Sequence, residues 1–384
     1  MKFLFASDSF KGSLSSEKIV ELLTETAQKI FPGCSVKGLK MADGGEGTVD
    51  AVLEAAGGAY RTVKVKGPLW EEKEASYGIL PGGAAVIEMA AASGLPMVPQ
   101  EKRNPLLTTS YGTGELIRDA LDQGCRNISV AIGGSATNDG GMGAMSALGI
   151  RFLDRDGKVL KGEGKDLGLV KDIDVSGMHP AVKETEFTVM CDVKNPLLGP
   201  EGATYTFGRQ KGADEAMQAE LEAGMEHFSR IMAEKTGKEV SQVPGTGAAG
   251  GLGAALLVFL DAHMKSGIDT VLDLIGFDRL LDGVSLVVTG EGNMDWQSAF
   301  GKVPYGIGMR CKKAGIPVTA IVGGMGKGAE NLYQYGIDSV ISTVNRAMPL
   351  EEALENAEAL YRNAAERMFR FVRAGMKIRE SEGD

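Results

Sequence analysis

The stretch that most constrains this chain is an apolar run ending in a glycine-rich loop. Ile128 to Ile132 reads as a buried strand, Gly133 to Gly143 (GGSATNDGGMG) follows, and the Ala- and Met-rich residues beyond read as a helix. A strand passing through glycine into a helix lets backbone N–H groups and the positive helix end approach an anion. Within it, Gly133 and Gly134 open the loop, Ser135, Thr137 and Asn138 add neutral hydrogen-bonding groups, and Asp139 adds a carboxylate. The same residues also make a plain strand-to-helix turn, and the stretch alone leaves both readings open.

The motif type recurs along the chain, which holds 54 glycines in 384 residues, about twice the usual ~7% share. Lys2 to Ala6 reads as a strand, with Asp8, Ser9 and Lys11 in the loop beyond it and a helix capped by Ser15 or Ser16. In open α/β sheets, ligands bind past the carboxyl ends of strands, so these side chains stand where chemistry is expected. Met41 to Thr48 is a second glycine loop, in which Gly44 and Gly45 lie beside Asp43 and Glu46. One or two carboxylates together with substrate phosphates suit Mg²⁺, although helix capping uses the same residues. Thr108 to Ile117 opens a helix with Ser110, Gly112 and Thr113, and Phe187 to Cys191 reads as a strand leading to Asp192, Lys194 and Asn195. Lys211 closes a basic stretch, Phe207 to Gly212, ahead of a helix reaching about Thr236. Gly245 to Gly250 formally matches G-x-G-x-x-G, but no good strand precedes it and the helix over Leu252 to Met264 leads into no second strand, so the dinucleotide fingerprint is weak.

The C-terminal third alternates strand and helix most clearly. Ser285 to Thr289, Pro317 to Val322 and Asp338 to Val344 read as strands, with one long amphipathic helix over 350–376 burying Leu350, Leu354, Ala357, Tyr361, Ala364, Met368 and Val372. Glu291 and Asp295 leave the first of these strands, and Lys302 stands at the start of the next helix. Neither Gly301-Lys302 nor Gly326-Lys327 completes a Walker A motif. The β-rich pattern begins near residue 60. The expected fold is therefore α/β with two domains: a discontinuous Rossmann-like parallel domain formed by both chain ends (1–60 plus 283–384), and an inserted mixed α/β domain (61–282), with the active site in the cleft between them.

A net charge of −10 argues against nucleic acid or anionic membranes as partners, and an anionic substrate would need a local basic pocket. The four cysteines are far apart and the three histidines form no zinc pattern. No signal-peptide core or membrane span is evident, so a cytoplasmic protein is expected. Monomer and homodimer both stay open.

Carboxylates, hydroxyls and lysines on successive glycine loops point to a polyanion with Mg²⁺, as in phosphoryl transfer. The chain also resembles the type 1 glycerate kinases, the glycerate 2-kinase family. The resemblance rests on DSFKGSLSS (Asp8 to Ser16), MADGGEGTVDA (Met41 to Ala51), TSYGTGELI (Thr109 to Ile117), GGSATNDGG (Gly133 to Gly141), CDVKNPLLGPEGA (Cys191 to Ala203), GAAGGLGAALL (Gly247 to Leu257) and Thr289 to Asp295. It implies ATP- and Mg²⁺-dependent phosphorylation of D-glycerate to 2-phosphoglycerate. Two departures stand out: Asn293 follows GEG where the family usually has arginine, and Arg209 replaces the proline of FGPQKG.

Asp192 is the expected base, with Asp8 and Asp295 as rivals. Lys11, Lys194, Lys211 and Lys302 are candidates for phosphate or carboxylate charge, Lys11 and Lys211 foremost. Asp43, Glu46 and Glu291 are the expected metal-facing groups. The remaining ligand contacts fall on Ser9, Gly44, Gly45, Ser110, Gly112, Thr113, Gly133, Gly134, Ser135, Asn138, Asp139, Asn195, Gly247, Gly250 and Gly251. A dehydrogenase, a catalytically silent metabolite-binding homologue and a kinase acting on O3 are the competing readings.

Overall fold

A computed structural model describes residues 1–382. The chain forms two compact units, one of Met1–Asp43 with Val271–Asp384 and one of Gly44–Thr270. The first holds a five-stranded, all-parallel sheet in the order Ser339–Ser342, Val318–Val322, Leu286–Thr289, Lys2–Ser7, Ser35–Lys40. The expected discontinuous, Rossmann-like sheet from both chain ends is thus present. Numbered within the unit, its order is 2-1-3-4-5, which reverses direction between Lys2–Ser7 and Leu286–Thr289, the place where doubly wound sheets open a ligand crevice.

Period-two alternation explains the layering. Phe3 and Phe5 join the apolar cluster made with Ile19, Leu22 and Leu23 of helix Ser16–Ile30 and with Tyr361, Met368 and Phe369 of helix Ala357–Glu382. The strands' other face meets helix Val303–Ala314, whose Val303, Ile307 and Cys311 are buried.

The second unit holds a six-stranded mixed sheet: His263–Lys265, Glu186–Met190, Asn127–Ala131 and Ala84–Glu88 are parallel, and Glu72–Ile79 and Ala59–Lys66 continue it antiparallel. Helices Tyr111–Asp122, Glu215–Thr236 and Leu252–Phe259 contribute to its core.

Four differences separate the structure from the sequence reading. Residues 44–60 cluster with the inserted unit, because helix Thr48–Ala56 packs on Glu72–Ile79 and Ala84–Glu88 and the Val49 N–H donates to Glu88 Oε1 at 2.8 Å. Residues 271–282 cluster with the chain-end unit, where Arg310 pairs with Asp273 at 2.6 Å and Asp278 at 3.1 Å. The single helix expected over 350–376 is two, Leu350–Glu355 and Ala357–Glu382, broken at Asn356. The break takes Leu350 and Leu354 off the buried stripe, leaving them 73% and 40% exposed. Likewise the helix from Leu252 stops at Phe259, and His263–Lys265 forms an edge strand. Among the described residues no helix is long and apolar enough to cross a membrane.

Phe369 is fully buried, with its ring centroid 5.3 Å from that of Phe3. Phe369→Ala is expected to destabilise the chain-end unit by about 3–5 kcal/mol, read as a lowered denaturation midpoint in urea.

Candidate functional site

In the chain-end unit the carboxyl ends of four adjacent strands open into one pocket of about 740 Å³. Asp8 and Ser9 follow Lys2–Ser7, Glu291 and Gly292 follow Leu286–Thr289, Gly323 and Gly324 follow Val318–Val322, and Thr343 and Val344 follow Ser339–Ser342. The Asp8 N–H donates to Gly290 O at 3.0 Å, which stitches the two strand ends together at the reversal of sheet order.

The pocket is charged at this point. Asp8 Oδ1 accepts the Ser9 N–H at 2.7 Å, and among the described residues no donor is bonded to its Oδ2. Burial, with neighbouring Asp43 next in effect, pushes the Asp8 carboxyl up to about 6, while Lys11 pulls the other way. Asp8, Lys11, Asp43, Glu291, Asp295 and Lys302 all line this pocket. Glu291 is 5% exposed, and burial raises its carboxyl above the ordinary range. Its Oε2 meets Lys302 Nζ at 3.3 Å, whereas Oε1 is buried without a hydrogen-bond partner. Asp295 is largely committed to its own turn: it caps Trp296–Ala299 by accepting the Gln297 N–H at 2.9 Å and also accepts Asn293 Nδ2 at 3.0 Å. Asn293 therefore holds the turn at the edge of the pocket, which it also lines.

Metal-facing expectations separate here. Asp43 and Glu291 line the same pocket, whereas Glu46 is exposed and absent from its lining. No group of three or more His, Cys, Asp or Glu among the described residues is placed to hold a metal by itself. Mg²⁺ asks for less, since it is commonly held by one or two carboxylates plus substrate phosphates. The unpartnered, buried Glu291 Oε1 and the nearby Asp43 fit that requirement.

Within the inserted unit, the Gly133–Gly143 loop is rigidly tied. Asp139 is fully buried; its Oδ2 accepts Ser110 N–H and Oγ–H, both at 2.7 Å, and Gly143 N–H at 3.2 Å, while Oδ1 accepts Gly141 N–H at 3.0 Å. Burial raises its pKa against these donors. Asp139 and Ser110, both expected as ligand contacts, instead lock the loop to the start of helix Tyr111–Asp122. Thr113 is similarly engaged, with Oγ1 2.9 Å from Ser93 Oγ, and a Cβ on Gly112 would strike Lys66 O. Gly250 has φ +64°, and a Cβ there would overlap Thr137 O and Asn138 Cα; Gly247 and Gly251 meet Pro196 O and Gly140 Cα in the same way. These glycines pack loop on loop, as expected for G-x-G-x-x-G outside a dinucleotide fold.

Lys211 is 2% exposed and donates from Nζ to Ser135 Oγ at 2.8 Å and Thr137 O at 2.6 Å. Asn138 Nδ2 donates to Thr204 Oγ1 at 3.2 Å, while Asn138 Oδ1 and Thr137 Oγ1 are buried without partners. Asp192, the expected base, is exposed and accepts Gly267 N–H at 3.0 Å, and Lys194 is exposed. Asn195 donates to Glu201 O at 2.7 Å, and Arg209 pairs with Glu215 at 3.2 Å on the surface. Gly44 packs against Gly267 Cα and, like Gly45, lies near Gly133.

Val344, Met348, Leu350, Ala353, Leu354 and Ala357 also line the chain-end pocket, and the sequence reading missed them as site residues. The spacing of Leu350, Leu354 and Ala357 matches a buried helical stripe; the overlooked signal is the Asn356 break after the short Pro349-capped helix.

Two α/β units with glycine loops at strand ends, one loop set bearing acids beside amines, define an enzyme for a small polar ligand. The glycerate kinase family model matches residues 3–373. The chain is 45% identical to a glycerate kinase of Halalkalibacterium halodurans over 94% of its length and 96% of that protein. It is 46% identical to the glycerate 2-kinase of Escherichia coli over 93% and 94% of the two chains. Its fold matches the crystal structure of a protein assigned as glycerate kinase 2 from Salmonella typhimurium LT2, at TM-score 0.87 and 41% identity over 98% of this chain and 99% of that one. The chain belongs to the glycerate kinase family.

Burial drives the Lys211 amine down to about 7, partly opposed by Asp139. An unfolded lysine titrates near 10.5, so between these values the unfolded chain binds more protons and stability rises with pH. The melting temperature of the wild type is expected to gain, relative to Lys211→Met, on going from pH 7 to about pH 9.5. Parallel curves for the two proteins would contradict the burial of a proton-shedding amine.

Proposed function

We propose that this protein transfers the γ-phosphoryl group of ATP to the C2 hydroxyl of D-glycerate, yielding 2-phosphoglycerate and ADP. The substrate follows from the relatives' activity, and the chemistry is carried by one observation: half-buried Asp8, raised to about 6, lines one pocket with Lys11 and the Glu291–Lys302 pair at the reversal of sheet order. Asp8 is assigned as the base in place of Asp192, because its carboxyl, half-buried in the pocket, has a pKa raised to about 6, near working pH, where general bases are most effective. It takes the hydroxyl proton as the hydroxyl oxygen bonds to the γ-phosphorus and the bond to the bridging oxygen breaks. Lys11 and Lys302 balance charge on the transferring phosphoryl group, a job of positioning and electrostatics. Asp43 and Glu291 would hold Mg²⁺, which when bound neutralises the phosphates.

An Asp8 base must be ionised, so kcat/KM is expected to rise with pH through an apparent pKa near 6. Asp8→Asn is expected to lower kcat by about 10²–10⁴-fold and remove that limb, measured as D-glycerate-dependent ADP release. Full turnover in Asp8→Asn would reject the assignment, and no turnover of D-glycerate by the wild type would reject the function.

A further inference from the structure

The chain-end pocket is larger and less polar than a three-carbon hydroxy acid requires. Its charged groups lie past Lys2–Ser7 and Leu286–Thr289 at one end, and Thr343 and Val344 lie past the edge strand Ser339–Ser342 at the other. Three inter-strand steps separate the first and last of these strands, about 14 Å at the usual ~4.8 Å spacing. Between the ends the floor includes Gly323 and Gly324, where the backbone lies bare; Gly324 N–H is bonded to Gly292 O at 3.0 Å. Val344, Met348, Leu350, Ala353, Leu354 and Ala357 line the same pocket as an apolar wall with no charged side chain among them, and Ala357 also packs against the Phe10 cluster. Leu350 and Leu354 gain no packing inside the protein core that would account for their placement there, since the Asn356 break exposes both.

We infer that this wall is the subsite for the heterocyclic base of the nucleotide, with the ribose over Gly323–Gly324 and the phosphates reaching Lys11 and Lys302. A polar acid such as glycerate makes no use of an apolar wall, whereas a flat heteroaromatic ring gains from burial against Leu, Met and Ala surfaces. One pocket offers each kind of surface a nucleoside triphosphate needs: an apolar wall for the ring, bare backbone for the sugar and cations for the polyanion. The pocket's volume also lies within the ~300–1,000 Å³ range of sites that enclose ligands of that size. This subsite rests on the kinase reading above and adds to it which unit takes the nucleotide and which residues take the base.

The test compares two ligands on the intact protein by calorimetry: ADP, which carries a base, and inorganic tripolyphosphate, which does not. Ala353→Glu and Leu354→Asp are expected to weaken ADP at least tenfold and to leave tripolyphosphate within twofold of wild type. Leu350→Asp, at the most exposed position of the wall, is expected to act in the same direction and keeps the test intact should either other variant lose its melting transition. ADP affinity unchanged in the folded variants, or equal weakening of both ligands, would overturn the subsite. A parallel turnover assay separates the two claims: wild-type turnover of D-glycerate with ADP binding indifferent to the wall rejects the subsite alone. Wall-dependent ADP binding without D-glycerate turnover rejects the glycerate kinase reading alone.

Discussion

Everything in the chain-end unit depends on the parallel pairing of Lys2–Ser7 with Leu286–Thr289, in which Phe3, Leu4 and Phe5 face Leu286, Val287 and Val288. The pair is made from residues at opposite ends of the sequence, so its closure entropy is met only by a heavily buried contact. The aromatic cluster of Phe3, Phe5, Phe31 and Phe369 supplies that burial. Because the sheet reverses direction at this pair, the same contact that closes the fold also opens the crevice. The Asp8 N–H to Gly290 O bond sets the two loops side by side where the acids and amines meet.

The two units use buried charge differently. In the inserted unit, Asp139 accepts four donors and Lys211 donates to two oxygens of the Gly133–Gly143 loop, so both serve to fix its shape. In the chain-end unit the polar groups are incompletely paired: Glu291 Oε1 has no partner, and Asp8 has the Ser9 donors only on Oδ1. Buried polar atoms normally find partners; Asn138 Oδ1 and Thr137 Oγ1 in the inserted unit also lack them, but among the described residues Glu291 Oε1 is the one that shares a pocket with Asp8, Lys11 and Lys302. A protein of net charge −10 also needs local cations to hold a polyanion, and Lys11 and Lys302 place them in this pocket.

Much of the fold was legible because strand and helix periods are local. The strands at Lys2–Ser7, Asn127–Ala131, Glu186–Met190, Leu286–Thr289 and Val318–Val322 each stand out as short apolar runs. The short edge strands, such as His263–Lys265, carry no such run and were hidden. Legibility of the candidate site was poorer. Periodicity shows which residues leave a strand end; it does not show whether their lone pairs are already taken, as with Asp139 and Asp295. Nor does it show that one asparagine would turn part of an apparent core stripe into a pocket wall, as Asn356 does for Leu350 and Leu354.

In the proposed function, half-buried Asp8 at the reversal of sheet order serves transfer to a secondary hydroxyl. Phosphorus NMR of the product made from ATP and D-glycerate tests it most directly, because the phosphorus reports the carbon that bears it. A proton-coupled doublet, from the single hydrogen on C2, is the expected result. A triplet from the C3 methylene, or no phosphorylated glycerate at all, would contradict it.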